Sequence, residues 1–239
     1  MKVPQWGMVL AAGLGTRLKP ITDRIPKPLV SVGGRALIDH AIDRLEEVGV
    51  ARVVVNVHYK ADMIARHLET RTRPSIKLSV ESDLLETGGG IVKALGLLDD
   101  VFYVVNSDVF WLDGKVPALL RLARAWDPER LDALLLLQRT TSAIGYDGAG
   151  DFILDPVGRL RRRAEREVAP HLFAGVQILH RRLFDGRALG KFSLNPLWDQ
   201  AIAADRLAAI VHDGEWYHIG TPEGLALTEA RLATHRIER

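Results

Sequence analysis

Trp6-Gly7-Met8-Val9-Leu10-Ala11 runs straight into Ala12-Gly13-Leu14-Gly15-Thr16-Arg17-Leu18. A continuous apolar run that meets a turn of small residues is the pattern of a strand buried on both faces of a parallel sheet. The same grammar repeats downstream. Helical spacing over Ala36–Val48 puts Leu37, Ala41, Leu45 and Val48 on one face, and Gly49 ends it. Arg52–Val57 is a β-branched run, Lys60–Leu68 is helical through Met63, Ile64 and Leu68, and Ile76–Glu81 alternates as a strand. Gly90–Leu98 predicts a helix and Val101–Asn106 another buried strand. Val116–Ala125 and Leu131–Gln138 add one more helix-strand cycle. The expected fold class is α/β, with a mostly parallel sheet covered by helices on both faces.

After Gln138 the pattern changes. Gly-punctuated turns at Gly145–Gly150 and Pro156–Gly158 surround short strands at Phe152–Leu154 and Leu172–His180. Leu194–Ala204 predicts a helix and Glu215–Ile219 a strand. Thr221 caps a last helix with Pro222 in its first position, where a missing donor costs nothing. No linker, low-complexity segment or internal repeat divides the chain. Residues 1–239 read as one domain with a less regular C-terminal part.

The composition narrows the function. With 239 residues, 47% hydrophobic and 26% charged, the chain has enough apolar material for a sizeable core, which excludes disorder as its main state. It has no cysteine, so disulfide scaffolds, thiolate zinc sites and cysteine nucleophiles are all excluded. Lys+Arg 32 against Asp+Glu 30 gives a formal charge of only +2, and no electrostatic case for nucleic acid follows. No apolar run approaches the roughly 18 residues of a membrane span, and Met1–Trp6 with Met8–Ala12 lacks a signal-peptide core. A cytoplasmic protein is expected.

Ligands of open parallel sheets bind beyond the carboxyl ends of the strands, which places chemistry at the Gly13–Gly15 loop. Small residues there let backbone N–H groups approach a phosphate, and Arg17 adds a bidentate grip on its oxygens. The competing reading is a tight strand-to-helix turn with no ligand. Two familiar phosphate loops fail. A dinucleotide fingerprint needs a third glycine where Leu18 stands, and His58, not an acidic residue, follows Arg52–Val57. No Gly-Lys-Ser/Thr triplet occurs. Lys27, between Pro26 and Pro28, sits on a stiffened extended segment, which suits a fixed positive charge aimed at phosphate better than a mobile surface lysine.

Ala11-Ala12-Gly13-x-Gly15-Thr16-Arg17-Leu18-x-Pro20, followed by Pro26-Lys27-Pro28-Leu29, resembles the signature of the sugar-1-phosphate nucleotidylyltransferases. Within that family, Leu85-Glu86-Thr87-Gly88-Gly89-Gly90-Ile91 and Asn106-Ser107-Asp108-Val109 are similar to the N-acetylmuramate-1-phosphate uridylyltransferases. The mannose-1-phosphate guanylyltransferase-like group is a near relative. The likeness is patchy from about Tyr146 to Pro170. It implies a Rossmann-like fold that joins a nucleoside triphosphate, UTP above all, to a sugar 1-phosphate. Residues 1–138 would form the nucleotide-binding core and 139–239 the sugar-binding and C-terminal part. By the same resemblance the backbone at Ala11, Ala12, Gly13, Gly15 and Thr16 holds the nucleotide, and Arg17 and Lys27 neutralise phosphates. The segment from Glu81 to Gly88 faces the base, Asn106 and Asp151 contact the sugar, and Asp108 binds magnesium.

One position departs from the pattern. The family's second metal-binding Asp lies in a Trp-x-Asp-x-Gly-Thr segment, which here reads Trp216-Tyr217-His218-Ile219-Gly220-Thr221. Imidazole favours softer ions such as Mn²⁺ or Co²⁺ over Mg²⁺. His218 can bind metal directly, act through water, hydrogen-bond phosphate, or simply fill space at a strand end. The loss of a carboxylate also opens the alternative of a non-catalytic domain that senses nucleotide sugars. A nicotinamide-dependent oxidoreductase rests on the Gly-rich loop alone. Arg159–Arg166 is a basic run that reads as a solvated surface, with an anionic substrate or partner as the alternative. Trp126 and Trp198 sit in helical patterns and are expected in the core.

Overall fold

The computed structural model describes residues 3–155 and 158–237, so Met1, Lys2 and the Pro156–Val157 part of the expected turn lie outside the described residues. In chain order the first half contains β1 (Trp6–Leu10), α1 (Ile21–Arg24), β2 (Ser31–Val32), β3 (Arg35–Ala36), α2 (Leu37–Glu47) and β4 (Arg52–Val57). Then come α3 (Ala61–Leu68), β5 (Ser75–Val80), α4 (Glu86–Ala94), β6 (Val101–Asn106), β7 (Val109–Leu112), α5 (Ala118–Ala125) and β8 (Ala133–Arg139). The remainder adds β9 (Ala143–Ile144), β10 (Phe152–Leu154), β11 (Leu160–Arg162), β12 (His171–His180), α6 (Asn195–Ala203), β13 (Leu207–Val211), β14 (Glu215–His218) and α7 (Pro222–Ile237).

Among the described residues the main sheet has nine strands: β5-β4-β1-β6-β12-β8-β13, with β10 also paired to β12 and β11 to β10. Strands β5, β4, β1 and β6 pair in parallel, and β8 pairs in parallel with β13. Strand β12 is antiparallel to β6, β8 and β10, so it runs against every strand it touches, and β11, antiparallel to β10, runs with it. The sheet is thus mixed but mostly parallel, covered on both faces. Alternate side chains of each strand serve the two faces. Val9, Val55 and Tyr103 join Ile38, Ile42 and Leu45 of α2, Ile64 of α3 and Leu122 of α5 in one core. Met8, Val54, Phe102 and Val104 join Ile91 of α4 with Leu197 and Trp198 of α6 in the other. Trp198 is buried as expected, whereas Trp126 only packs against its core from a partly buried position. A third apolar cluster (Leu18, Val30, Val32, Leu37, Phe110, Tyr217 and Ile219) ties the segment after β1 to the β7–β14 ribbon.

Two departures from the pattern bear on the site. Strand β12 breaks register between Phe173 and Gln177, and Gly175 sits there with φ +78°. The break frees the Ala174 carbonyl, which accepts a hydrogen bond from the indole of Trp216 at 2.9 Å. Helix α4 starts at Glu86, four residues before the expected Gly90, and so contains Gly88, Gly89 and Gly90 in its first half. Glycine is a poor helix former, which is why the pattern suggested a later start. Packing explains its presence. A Cβ on Gly89 would meet the Gly190 carbonyl oxygen at 1.9 Å, and one on Gly88 would meet the Phe192 carbonyl oxygen at 2.9 Å.

Backbone cannot step aside as a side-chain tip can. Gly89→Ala is therefore expected to destabilise the protein by about 2–3 kcal/mol, an overpacking cost, lowering Tm by roughly 5–10 °C. Gly96→Ala, whose Cβ meets nothing within 4 Å, serves as the control and should stay within about 0.5 kcal/mol. Equal melting temperatures for the two variants would contradict the packing account.

Candidate active site

The site grows from the carboxyl ends of β4, β1 and β6, which the sheet register sets side by side. Leu10 pairs with Asn56 on one flank and with Asn106 on the other. Past this row the backbone needs new partners. Asn56 Oδ1 accepts from the Ala11 amide at 2.9 Å, while its Nδ2 donates to Glu81 Oε1 at 2.7 Å. Only this amide orientation satisfies both neighbours. The second Glu81 oxygen accepts from the Leu85 amide at 3.1 Å, just ahead of α4. On the other flank Ser107 donates to the Leu10 carbonyl from both its amide, at 3.1 Å, and its hydroxyl, at 2.7 Å. A Cβ on Gly90 would meet Glu81 Oε1 at 2.7 Å, so the helix approaches closely enough to close over the Asn56–Glu81 pair.

The loop after β1 turns at Gly15, whose φ of +64° suits glycine. A Cβ there would meet Cβ of Lys27 and the Thr22 methyl, both at 2.9 Å. Buried Thr22 donates from its hydroxyl to the Gly15 carbonyl at 2.9 Å and locks the loop against the Pro26–Pro28 segment. That segment aims Lys27 across the crevice, where its Nζ meets Asp108 Oδ2 at 3.1 Å. The lysine side chain is 11% exposed and the aspartate 34%. Burial pushes the Asp108 carboxyl up. The Lys27 charge and its hydrogen bond, then His218 once protonated in acid and the Arg17 charge, outweigh burial and hold the carboxyl below its ordinary value.

These residues line a cavity of about 450 Å³. Ala12, Gly13, Gly15, Thr16, Arg17, Lys27, Asn106 and Asp108 all face it, along with Asn56, Glu86, Thr87, Ser107 and Ser193. Ala11, Glu81, Gly88 and His218 do not line it. The Ala11 amide is already engaged by Asn56, and the Glu81 side chain sits buried behind the loop. Gly88 meets the chain itself: its amide donates to the Phe192 carbonyl at 2.9 Å. His218 pairs with Val109, next to Asp108, and its Nε2 lies 2.2 Å from a Cβ built on Gly220, which does line the cavity. Trp216 stacks on the His218 ring at 6.0 Å and Tyr146 meets it edge-on at 6.3 Å. Burial pushes His218 below its ordinary value despite the opposing charge of Asp108, so the imidazole is uncharged at neutral pH.

A second chamber of about 290 Å³ adjoins the first and shares Thr87, Asn106 and Ser193 with it. Asp151 belongs there, with Arg162, Phe173 and Trp198. Asp151 Oδ2 accepts from the Phe173 amide at 2.9 Å. Sequence reasoning brought Arg17, Lys27 and Asp108 together but gave no role to Asn56, Thr22, Thr87, Ser107 and Ser193, and read Arg162 within a run taken as solvated surface. Asn56 did carry a signal, as the one polar residue inside the run Arg52-Val53-Val54-Val55-Asn56-Val57.

Residues 6–146, more than half of the chain, match the family described as nucleotidyl transferase. The chain belongs to that family. This nucleotidyl transferase is 43% identical to the N-acetylmuramate alpha-1-phosphate uridylyltransferase of Caulobacter vibrioides, over 97% of this chain and 98% of that one. It is 32% identical to the enzyme of the same name from Neisseria meningitidis, covering 90% of this chain and 92% of that one. A probable mannose-1-phosphate guanylyltransferase of Oryza sativa is 29% identical over 90% of this chain, but the match spans only 61% of that protein. Among solved structures, a putative glucose-1-phosphate thymidylyltransferase from Bacillus anthracis superposes with a TM-score of 0.79 at 18% identity, covering 94% of each chain. A UDP-glucose pyrophosphorylase complexed with UDP-glucose gives 0.79 at 16% identity, covering 96% of this chain and 98% of that one. These two likenesses speak for the shared fold.

Removing the Asn56 side chain would leave a buried carboxylate oxygen and the Ala11 amide without partners. Asn56→Ala in this transferase is therefore expected to cost about 3 kcal/mol, lowering Tm by roughly 6–12 °C. A loss below about 2 °C in a thermal melt would show that the pair does not hold the loop.

Proposed function

We propose that the chain transfers a uridylyl group from UTP to N-acetylmuramate 1-phosphate, releasing pyrophosphate, in the re-use of cell-wall sugars. The observation that carries this reading is the Lys27–Asp108 pair in a Gly-rich cavity that opens into a second chamber. The 43% identity across nearly the whole of both chains supports the choice of substrates. The sugar phosphate brings an ionised oxygen, so its attack on the α-phosphorus needs no strong base. The new P–O bond forms as the bond to the β-phosphate breaks, and pyrophosphate leaves with that electron pair. Negative charge crowds onto one centre, and positioning with charge neutralisation carries the rate. In this reading Ala12, Gly13, Gly15 and Thr16 cradle the nucleotide phosphates, with Ala11 behind them. Arg17, exposed at the cavity wall, and Lys27 neutralise the phosphates. Glu81 and Gly88 act at one remove, by holding Asn56 and the start of α4. Asn106 and Asp151 receive the sugar. No helix among the described residues is long and apolar enough to cross a membrane. A donor as common in the cytoplasm as UTP suits action there.

The family implies a divalent cation. No group of three or more Asp, Glu or His side chains forms a metal cage among the described residues. The donor set at the crevice is the Asp108 carboxylate with the uncharged imidazole of His218 close by. This fits magnesium, which takes one or two carboxylates and fills its remaining positions with substrate phosphates and water. Such an ion would screen charge on the reacting phosphates. Asp108 would hold it, and Lys27 would pass from Asp108 to a phosphate oxygen as substrate arrives. His218 would make the site more tolerant of Mn²⁺ or Co²⁺.

Coupled pyrophosphate release, measured with UTP, GTP, CTP, ATP and dTTP against several sugar 1-phosphates, tests the reading. The highest kcat/KM is expected for UTP with N-acetylmuramate 1-phosphate. A preference for GTP with mannose 1-phosphate would replace it with the guanylyltransferase reading. Nucleotide binding without pyrophosphate release would make the chain a sensor. Lys27→Ala is expected to lose on the order of 10²–10³ in kcat, and near-wild-type turnover would remove its central role. His218→Ala should raise the half-saturating magnesium concentration about tenfold if His218 supports the ion. An unchanged value would leave the ion to Asp108 and the phosphates.

A further inference from the structure

We propose that Arg162 binds a carboxylate carried by the sugar, so that the second chamber selects sugar 1-phosphates with an acidic substituent over neutral ones. This rests on the uridylyl-transfer reading and adds to it the residue that tells one sugar from another.

The basic run Arg159–Arg166 does not behave as one patch, because the pleat of β11 divides it. Strand β11 is antiparallel to β10, with Arg162 opposite Phe152 and Arg161 opposite Ile153. Directly opposed residues point to the same face and their neighbours to the other. Arg161 turns outward and grips Glu167 with both terminal nitrogens, at 2.7 and 2.6 Å. Arg163 holds its own loop together. Its Nε donates to the Gly150 carbonyl at 2.9 Å, and its Nη1 to the carbonyls of Ala164, Glu165 and Glu167 at 3.1 Å each. Arg162 shares the Phe152 face and lines the chamber. Its Nη1 is buried yet makes no hydrogen bond. The acidic atom in reach is Asp199 Oδ2 at 3.6 Å, beyond hydrogen-bond length, on a side chain that is 59% exposed.

A shielded guanidinium nitrogen without an acceptor is costly unless something supplies one. The chamber indicates what that is. Phe173 and Trp198 pack edge to face at 4.8 Å and offer an apolar wall to a sugar ring. Asp151 is the other charge in the chamber, and one of its oxygens is already taken by the Phe173 amide. Asn106, Thr87 and Ser193 connect the chamber to the phosphate cavity, so a sugar whose 1-phosphate lies there projects its ring towards Arg162. A neutral hydroxyl accepts one hydrogen bond and leaves the half-exposed Asp199, at 3.6 Å, as the counter-charge of Arg162. A carboxylate takes the planar guanidinium bidentately. N-acetylmuramate carries such a carboxylate on its lactyl ether, and N-acetylglucosamine is the same sugar without it.

The test compares kcat/KM with UTP for N-acetylmuramate 1-phosphate, its methyl ester and N-acetylglucosamine 1-phosphate. The wild-type chain is expected to favour the free acid over both neutral sugars by about 30-fold or more. Arg162→Gln should cut that ratio to within a few-fold of one, and Arg162→Lys should keep part of it. Equal kcat/KM for the acid and its ester in the wild-type chain would overturn the proposal without relying on any variant. A preference for the acid that survives in Arg162→Gln would overturn it as well, while leaving uridylyl transfer intact. No turnover of any of the three sugars would instead refute the uridylyl-transfer reading and this proposal with it.

Discussion

Leu10 sits in register with both Asn56 and Asn106, and the site depends on that alignment. Parallel strands that end together leave their last backbone groups facing a crevice, where they need partners other than the ladder. Here side chains from the flanking strands and the turns beyond them provide those partners. Asn56 takes the Ala11 amide and Ser107 takes the Leu10 carbonyl, so both of these groups are paired where the first strand leaves the sheet. The loop beyond is then free to present small residues and open amides to a ligand. A shift of one residue between β1 and β4 would turn Asn56 to the opposite face and leave the Ala11 amide without its acceptor.

The electrostatics follow from how tightly Lys27 is enclosed. A lysine 11% exposed would be expensive without an opposite charge, and Asp108, 81 positions away in sequence, provides it across the crevice. The third apolar cluster fixes both sides of that contact, because it packs Leu18 and Val30 against Phe110, Tyr217 and Ile219. The pair is therefore set in place before any substrate arrives. Substrate phosphates bring their own negative charge and can take over the role of Asp108 towards Lys27. The surrounding cations hold the carboxyl below its ordinary value, and in the proposed reading it would then be free to hold a divalent ion.

Much of this was legible in the sequence, and its limits have physical causes. Continuous apolar runs such as Val101–Asn106 announce buried strands, and the observed bounds of β4, β6 and β10 coincide with the expected ones. The expected helix at Ala36–Val48 is α2 to within a residue at each end. The reversed strand was not legible, because an apolar run carries no mark of direction. Short strands such as β7 and β13 are not marked by the pattern, because runs of four and five residues are too short to show a period, even with Ser107-Asp108 and Asp213-Gly214 as turns beside them. Helix α4 was read late because its glycines obey tertiary contact with the Gly190–Phe192 segment rather than helix propensity. At the site, the motif placed Arg17, Lys27 and Asp108 on one cavity. It could not show that Glu81 lies behind the loop, since burial depends on which strand ends next to which. Nor could the string of arginines at 159–166 reveal that one of them lines a cavity, because that depends on the pairing of β11 with β10.

The reversed strand also explains why the chain has a second chamber at all. Strand β12 is longer than β6, and its pairing with β6 covers only Val176–His180. Its first residues run on past Asn106, where β10 joins at His171 and brings β11 with it. Gly175 lies at the junction, and a Cβ there would meet Cβ of Asn106 at 3.2 Å and the Val109 methyls at 3.0 Å, so only the smallest residue lets the strand bend around the end of β6. Running against β6, β12 enters the sheet from the ligand side and carries the β10–β11 ribbon over the crevice. The wall it builds holds Asp151, Arg162 and Phe173 beyond the row at which β4, β1 and β6 stop. One reversal of direction thus extends a single crevice into two joined chambers, the arrangement that the proposed reaction between two phosphorylated substrates would use.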